Sequence, residues 1–193
     1  MSAMRPDQSK VFSYADYLQW KEGDRLELIN GKVYMMTPAP SRKHQEIVLE
    51  IGRQLSNSLK GNRCNVYIAP FDVRFLENED DEDDNIYTVV QPDLTIVCDK
   101  SKLDDRGLKG TPDFVIEVIS PSTASTDYIQ KMNLYEKSGV NEYWIVHPTD
   151  QVVLVFVLED GTYGKPKVYD RDNCVKVEVI KDLEVDLKEV FHE

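Results

Sequence analysis

Gln91-Pro-Asp-Leu-Thr-Ile-Val-Cys98 and Thr111-Pro-Asp-Phe-Val-Ile-Glu-Val-Ile-Ser120 are two short apolar runs, and each carries an acid where an apolar residue would pack better. A helical pattern containing Lys131 follows, and Glu142-Tyr-Trp-Ile-Val-His-Pro148 closes the stretch. If the two runs pair antiparallel through the loop 99–112, Asp93 at the start of one lies beside Glu117 near the end of the other. Like charges opposed across a sheet repel, and need a shared proton or a bound cation. A divalent cation with oxygen ligands, Mg²⁺ or Mn²⁺, meets that need. Each acid also has a plainer account. Asp93 after Pro92 suits a strand entry. Glu117 resists such an account, because Val115, Ile116, Val118 and Ile119 surround it with strand formers. A charge in a run buried on both faces is costly unless paired. Together the two acids mark a site.

The 193 residues suit a single domain, 1–193, with a core over about 41–148. Hydrophobic residues make up 41% and charged residues 30%, an ordinary soluble balance. No apolar run reaches the length of a membrane span, and Met1-Ser-Ala-Met-Arg-Pro-Asp7 lacks a signal-peptide core. Cys64, Cys98 and Cys174 are odd in number and far apart, without a Cys-x-x-Cys. They read as reduced thiols of a cytoplasmic protein. The net charge of −12 excludes a generic polyanion binder. Seven of the acids crowd into residues 77–84, but the remainder is still acidic. Contact with nucleic acid would therefore rest on a local patch or on metal ions.

Along the chain, Ser13-Tyr-Ala-Asp16 has the spacing of a helix start and predicts a helix over 13–20. Arg25–Met36 reads as a hairpin, with Leu26, Leu28, Val33 and Met35 flanking the turn pair Asn30-Gly31. Ile47, Ile51, Leu55 and Leu59 predict a helix over 41–60, stopped by Gly61. His44 falls on its apolar face, as a hydrogen-bonded core histidine or as a site residue, whereas Glu46 points away. Val66–Leu76 reads as a strand disturbed at Pro70, with Asp72 turned outward, and the acidic run 77–84 as a solvated, mobile hairpin tip. Lys100, Lys102, Arg106 and Lys109 form either a solvated loop balanced by Asp99, Asp104 and Asp105 or a basic patch near the acids. After a turn at Ser120-Pro-Ser-Thr123, a helix over 125–138 presents Tyr128, Ile129, Met132 and Tyr135 as its buried stripe. Lys131, at the stripe's edge, can pair with Asp127 or reach over the sheet towards Glu117. The strand 143–146 then makes a right-handed crossover and a parallel pair. Val152–Leu158 returns antiparallel, Val175, Val177 and Val179 alternate as a further strand, and Leu183–Phe191 is a short terminal element. The expected fold is α/β in the mixed α+β sense: a mixed sheet flanked by helices, with an added N-terminal hairpin and C-terminal antiparallel strands.

The order helix, three strands, helix, strand, with Pro92-Asp93 and Glu117 on successive strands, resembles the PD-(D/E)xK nuclease superfamily. More closely, the chain resembles the Uma2 family (domain of unknown function 820) of restriction-endonuclease-like proteins common in cyanobacteria. The residues that carry this are Glu27-Leu-Ile-Asn-Gly31, Pro38-Ala-Pro40, His44, Gln91-Pro-Asp-Leu94, Phe114-Val-Ile-Glu-Val-Ile-Ser-Pro-Ser122, Asp127, Lys131, Tyr135 and Gly139-Val-Asn-Glu-Tyr-Trp144. The resemblance implies a restriction-endonuclease-like core and Mg²⁺-dependent hydrolysis of DNA phosphodiester bonds. Asp93, Glu117 and the Val118 carbonyl would hold Mg²⁺ or Mn²⁺, with His44 at the phosphate or the site wall. The superfamily's lysine, two residues after the second acid, is replaced by Ile119, and its role falls to Lys131 on the following helix. A homodimer would serve cleavage of both strands. The other class is a non-catalytic descendant acting as a binding or scaffold protein, favoured by the acidic charge and the absent Glu-x-Lys.

Overall fold

The structure, a computed structural model, describes residues 9–20, 26–35, 39–119 and 126–192, the last segment with side chains from Tyr128 onward. The turn at 120–125, the hairpin ends Arg25 and Met36, Pro38 and the Asp127 side chain lie outside the described residues. In chain order, α1 (Tyr14–Tyr17) precedes the hairpin β1 (Leu26–Ile29) and β2 (Lys32–Met35). Next, α2 (Arg42–Ser58) leads to β3 (Asn65–Ile68), β4 (Val73–Phe75), β5 (Thr88–Val90) and β6 (Leu94–Val97). The short strands β7 (Leu103–Asp104) and β8 (Gly107–Lys109) come before β9 (Phe114–Val118), α3 (Thr126–Lys137) and β10 (Glu142–His147). Then follow β11 (Val152–Glu159), β12 (Thr162–Tyr163), β13 (Lys167–Asp170), β14 (Cys174–Lys176), β15 (Glu184–Asp186) and α4 (Leu187–Val190).

The strands form two mixed sheets and a ribbon. One sheet has seven strands in the order β12-β11-β10-β9-β6-β3, with β13 also on β11. Within it β9 and β10 are parallel, joined by the crossover through α3, while β6 and β9 are antiparallel. A six-stranded sheet, β2-β1-β5-β4-β8-β7, takes up the N-terminal hairpin, and β14 pairs with β15 alone. The hairpin turns at Asn30 and Gly31, with φ of 51° and 72°. Both positive values match the type I′ turn this dipeptide favours.

Period-2 alternation decides which side chains meet. Leu94, Ile96, Phe114, Ile116 and Val118 point to one face of the larger sheet and pack on Ile47, Ile51 and Leu55 of α2. Fully burying each of those three helix side chains is worth about 1.5–3 kcal/mol. The opposite face carries Val97, Val115, Tyr143 and Ile145. It meets Leu134 and Tyr135 of α3 and Ile29, Val73 and Val90 of the smaller sheet. The far side of that smaller sheet closes under Tyr14 through Leu28, Val33, Ile86 and Val89. Glu117 is in phase with Val115, so it faces inward, between the two sheets. No helix among the described residues is long and apolar enough to cross a membrane.

Several expectations need correction. The run 66–76 is two strands: Ala69-Pro70 is a cis peptide, and the chain passes there from β3 in one sheet to β4 in the other. Asp72 does not turn outward, because the Tyr14 and Tyr17 hydroxyls and the Gln91 amide all donate to it. The acidic run is not a free tip. Asp81 is buried and accepts from the Glu77 and Asn78 N–H groups, and Asp83 pairs with Arg106 at 2.6 Å. That ion pair, with Lys102 donating to the Thr111 carbonyl, uses two of the four loop cations away from the acids of interest. Cys64 and Cys98 are not reduced thiols. They continue the antiparallel register of Asn65 with Val97 and form a disulfide, leaving Cys174 free. On α3 the buried set is Lys131, Leu134 and Tyr135, whereas Ile129 is 58% exposed. The helix is rotated from the expected stripe because Lys131 finds acids inside the fold.

Candidate functional site

The antiparallel register pairs Leu94 with Ile116 and Thr95 with Val115, so Asp93 stands directly across from Glu117. Glu117 faces the inner side of the larger sheet, whereas Asp93, just before β6, reaches the end of β9 and His44 of α2. Asp93 Oδ2 accepts from the Val118 N–H at 2.8 Å and lies 3.2 Å from His44 Nε2. Ser41 caps α2 by accepting from the His44 N–H, and the inward face of that first turn delivers the imidazole to Asp93. Burial works against charge on His44, but the Asp93 hydrogen bond and the Asp93 and Glu117 charges outweigh it and raise its pKa above the ordinary value. His44 Nδ1 is buried without a partner among the described residues.

Across the inner space, Lys131 Nζ donates to Glu117 Oε1 at 3.0 Å, and the Tyr135 hydroxyl donates to the same oxygen at 2.7 Å. Lys131 and Tyr135 are one helical turn apart, so one face of α3 supplies both. A third acid joins them: Glu27 Oε1 of β1 lies 3.0 Å from Lys131 Nζ and accepts from the Gln91 N–H. Burial pushes the Glu117 carboxyl up to about 7, with Asp93 and Glu27 adding to the shift and Lys131 and Tyr135 opposing it. Burial alone would lower the Lys131 pKa, but Glu117 and Glu27 override it and hold it above the usual lysine value. The ammonium therefore stays charged between two carboxylates.

All four side chains singled out in the sequence, Asp93, Glu117, Lys131 and His44, come together. Val118 touches the site through its N–H. The sequence names Glu27 and Tyr135 among the residues that carry the family resemblance, but gives Glu27 no role at the site and Tyr135 only a packing one. Glu27 sits in an alternating hairpin whose apolar residues are Leu26 and Leu28, so alternation alone turns it to solvent. The signal that could have found it is Ile29, an apolar residue on Glu27's own face.

The donor set can be weighed against a divalent cation. Among the described residues no cluster of three or more His, Cys, Asp or Glu forms a ready metal site. However, Asp93 uses Oδ2 and Glu117 uses Oε1 for the bonds above, and Oδ1 and Oε2 hydrogen-bond no described residue. Two carboxylate oxygens on opposed residues, supplemented by water and a main-chain carbonyl, fit Mg²⁺, which commonly takes one or two protein carboxylates.

Comparison with known proteins bears on the family and the fold. A model of the Uma2 family, described as "Putative restriction endonuclease", matches residues 14–188. The chain is 27% identical over 152 residues to the uncharacterized protein slr1290 of Synechocystis sp., covering 77% of this chain and 75% of that protein. It is 23% identical over 143 residues to sll1609 of the same organism, covering 72% and 76%. Its fold is similar to the crystal structure of a "putative nuclease belonging to DUF820" from Anabaena variabilis. The TM-score is 0.73 at 21% identity, over 93% of this chain and 97% of the other.

Proposed function

Because the chain belongs to the Uma2 family, we propose that it is a metal-dependent endonuclease that hydrolyses DNA phosphodiester bonds. The observation that carries the reading is the opposition of Asp93 and Glu117 across β6 and β9, each with one oxygen that hydrogen-bonds no described residue, beneath the buried Lys131 ammonium. Mg²⁺ or Mn²⁺, held by Asp93, Glu117 and the Val118 carbonyl, would supply Lewis acidity at the phosphate and a water of lowered pKa. The chain's own groups do the rest. Lys131 places a fixed positive charge where phosphoryl oxygens gain negative charge. Glu27 and Tyr135 hold that ammonium and Glu117 in register, and cost no reorganisation during the reaction. His44 fixes the Asp93 carboxylate through Oδ2 and keeps Oδ1 directed to the site.

A second reading, a non-catalytic binding protein of the same fold, is favoured by one observation: Lys131 is already neutralised by two acids. Cleavage of plasmid and single-stranded DNA in Mg²⁺ or Mn²⁺ separates the two, with Mn²⁺ titration calorimetry on the same proteins. Wild type should cut, and Asp93→Ala, Glu117→Gln and Lys131→Ala should each lose at least about 100-fold. Loss of Mn²⁺ binding should accompany the two acid variants only. Acid-dependent Mn²⁺ binding without cutting would favour the binding protein, and neither binding nor cutting would sink the metal reading.

A further inference from the structure

We propose that the cleft between β1, β2 and α3 is a subsite for one unpaired nucleobase, beside the acid cluster. The inference rests on the nuclease reading and adds what the substrate must present. The cleft has a volume of about 640 Å³, within the range of small-molecule sites and large enough for a nucleotide. Its floor is the buried pair Ile29 and Leu134. Tyr34 and Phe75 give aromatic walls, and Asn30, Gln130 and Asn133 give amides.

Three features point to a base rather than to another ligand. First, position: Tyr34 is the direct cross-strand partner of Glu27, so the aromatic wall stands beside a member of the acid cluster. Directly opposed residues on adjacent strands have Cβ atoms only about 5 Å apart. On α3, Gln130 and Leu134 each precede a cluster member, Lys131 and Tyr135, by one residue. The cleft thus shares β1 and α3 with Glu27, Lys131 and Tyr135 of the cluster, while Asp93 and Glu117 belong to the larger sheet.

Second, chemistry: each amide offers both donors and an acceptor, the combination that reads base edges. The side chains of Asn30, Gln130 and Asn133 line the cleft and hydrogen-bond no other described residue. The half-buried Tyr34 ring beside them, with Phe75 buried behind it, supplies the stacking that single-stranded binders use for every base. Third, charge: the charged lining residues, Lys137 and Glu77, are opposite in sign. The cleft therefore suits a neutral ring, while the phosphate belongs at the Lys131 end. A paired base cannot enter such a cleft, so the strand is single or the base is turned out of its duplex.

The test is binding of a fluorescein-labelled single-stranded decanucleotide, followed by anisotropy in Ca²⁺. Abasic sites are stepped along the strand one position at a time. Cleavage of the same strand in Mg²⁺ is followed alongside. Wild type should lose about tenfold in affinity when the abasic site occupies one particular position. The double variant Gln130→Ala/Asn133→Ala should bind the intact strand about tenfold more weakly and no longer distinguish that abasic strand. The abasic series needs no substitution, so a folding defect cannot imitate its result. Wild type that cuts the strand yet binds every abasic version alike would overturn the subsite and leave the nuclease reading standing. Wild type that neither binds nor cuts would overturn both.

Discussion

Lys131 is held by two carboxylates and two strands of different sheets, so removing its charge has a cost beyond chemistry. Lys131→Met leaves Glu27 and Glu117 buried against each other without a cation. Breaking a buried pair in this way costs about 3–5 kcal/mol, and urea unfolding should show a loss of that size. Adding Glu27→Gln to Lys131→Met should restore part of it, because one of the two stranded charges is gone. If the double variant is no more stable than Lys131→Met, the three groups do not act as a unit. Tyr135→Phe is a milder probe: it removes the 2.7 Å hydrogen bond to Glu117 and should cost about 1–1.5 kcal/mol with the fold retained. A second buried acid, Glu142, accepts from Trp144 Nε1 and from the Glu178 and Val179 N–H groups. Burial pushes it, like Glu117, from 4.5 up to about 7. A raised carboxyl pKa means the folded chain binds the proton more tightly than the unfolded one. The resulting stability is present below pH 4.5 and is lost as pH rises through about 7. Glu142→Gln should be less stable than wild type by about 1–3 kcal/mol at pH 5. The gap should narrow by pH 8, as measured by chemical unfolding at the two pH values.

At the scale of elements, the joins between strands give sharper tests than the strands themselves. The Cys64–Cys98 disulfide closes a 34-residue separation between β3 and β6. Reduction, or Cys64→Ser, should lower stability by about 2–4 kcal/mol in unfolding measured with and without dithiothreitol. Gly107 has φ of 125°, and a Cβ there would lie 2.3 Å from the Asp72 carbonyl oxygen. The Asp72 backbone cannot yield without moving the carboxylate that Tyr14, Tyr17 and Gln91 bind, so Gly107→Ala should cost more than about 1 kcal/mol. These joins also separate what was legible in the sequence from what was not. The facing of Asp93 and Glu117 was legible because two apolar runs on either side of a loop constrain their own register. The inward His44 was legible because α2 is long and strictly periodic. The division of 66–76 between two sheets was not, since a strand pattern is the same whether or not the chain changes sheet at a proline. Glu27 was hidden for a related reason: alternation predicts one wet face, and β1 has none. The α3 stripe was misread because a buried Lys131 replaces an apolar residue, and one of the two acids that make this tolerable, Glu27, is distant in sequence.

For the molecule as a whole, a net charge of −12 opposes approach to a polyanion. Proteins that bind DNA through many basic contacts lose affinity steeply with salt, by about 0.9 of a logarithmic unit per phosphate contact for each tenfold rise in salt. Here Arg106 and Lys131 are engaged by acids, so these two should add little to that slope in a duplex binding isotherm from about 50 to 200 mM salt. A steep slope would reveal a basic surface that the paired cations do not account for. The acid cluster has one more consequence, and it concerns time. Its carboxylates come from β1, β6 and β9, and the cation that lets two of them be buried comes from α3. A growing chain therefore makes Glu27 about a hundred residues before Lys131 and cannot close the space between the two sheets until α3 has left the ribosome. The N-terminal hairpin has to wait, and the cluster takes shape as a late event of synthesis rather than an early nucleus.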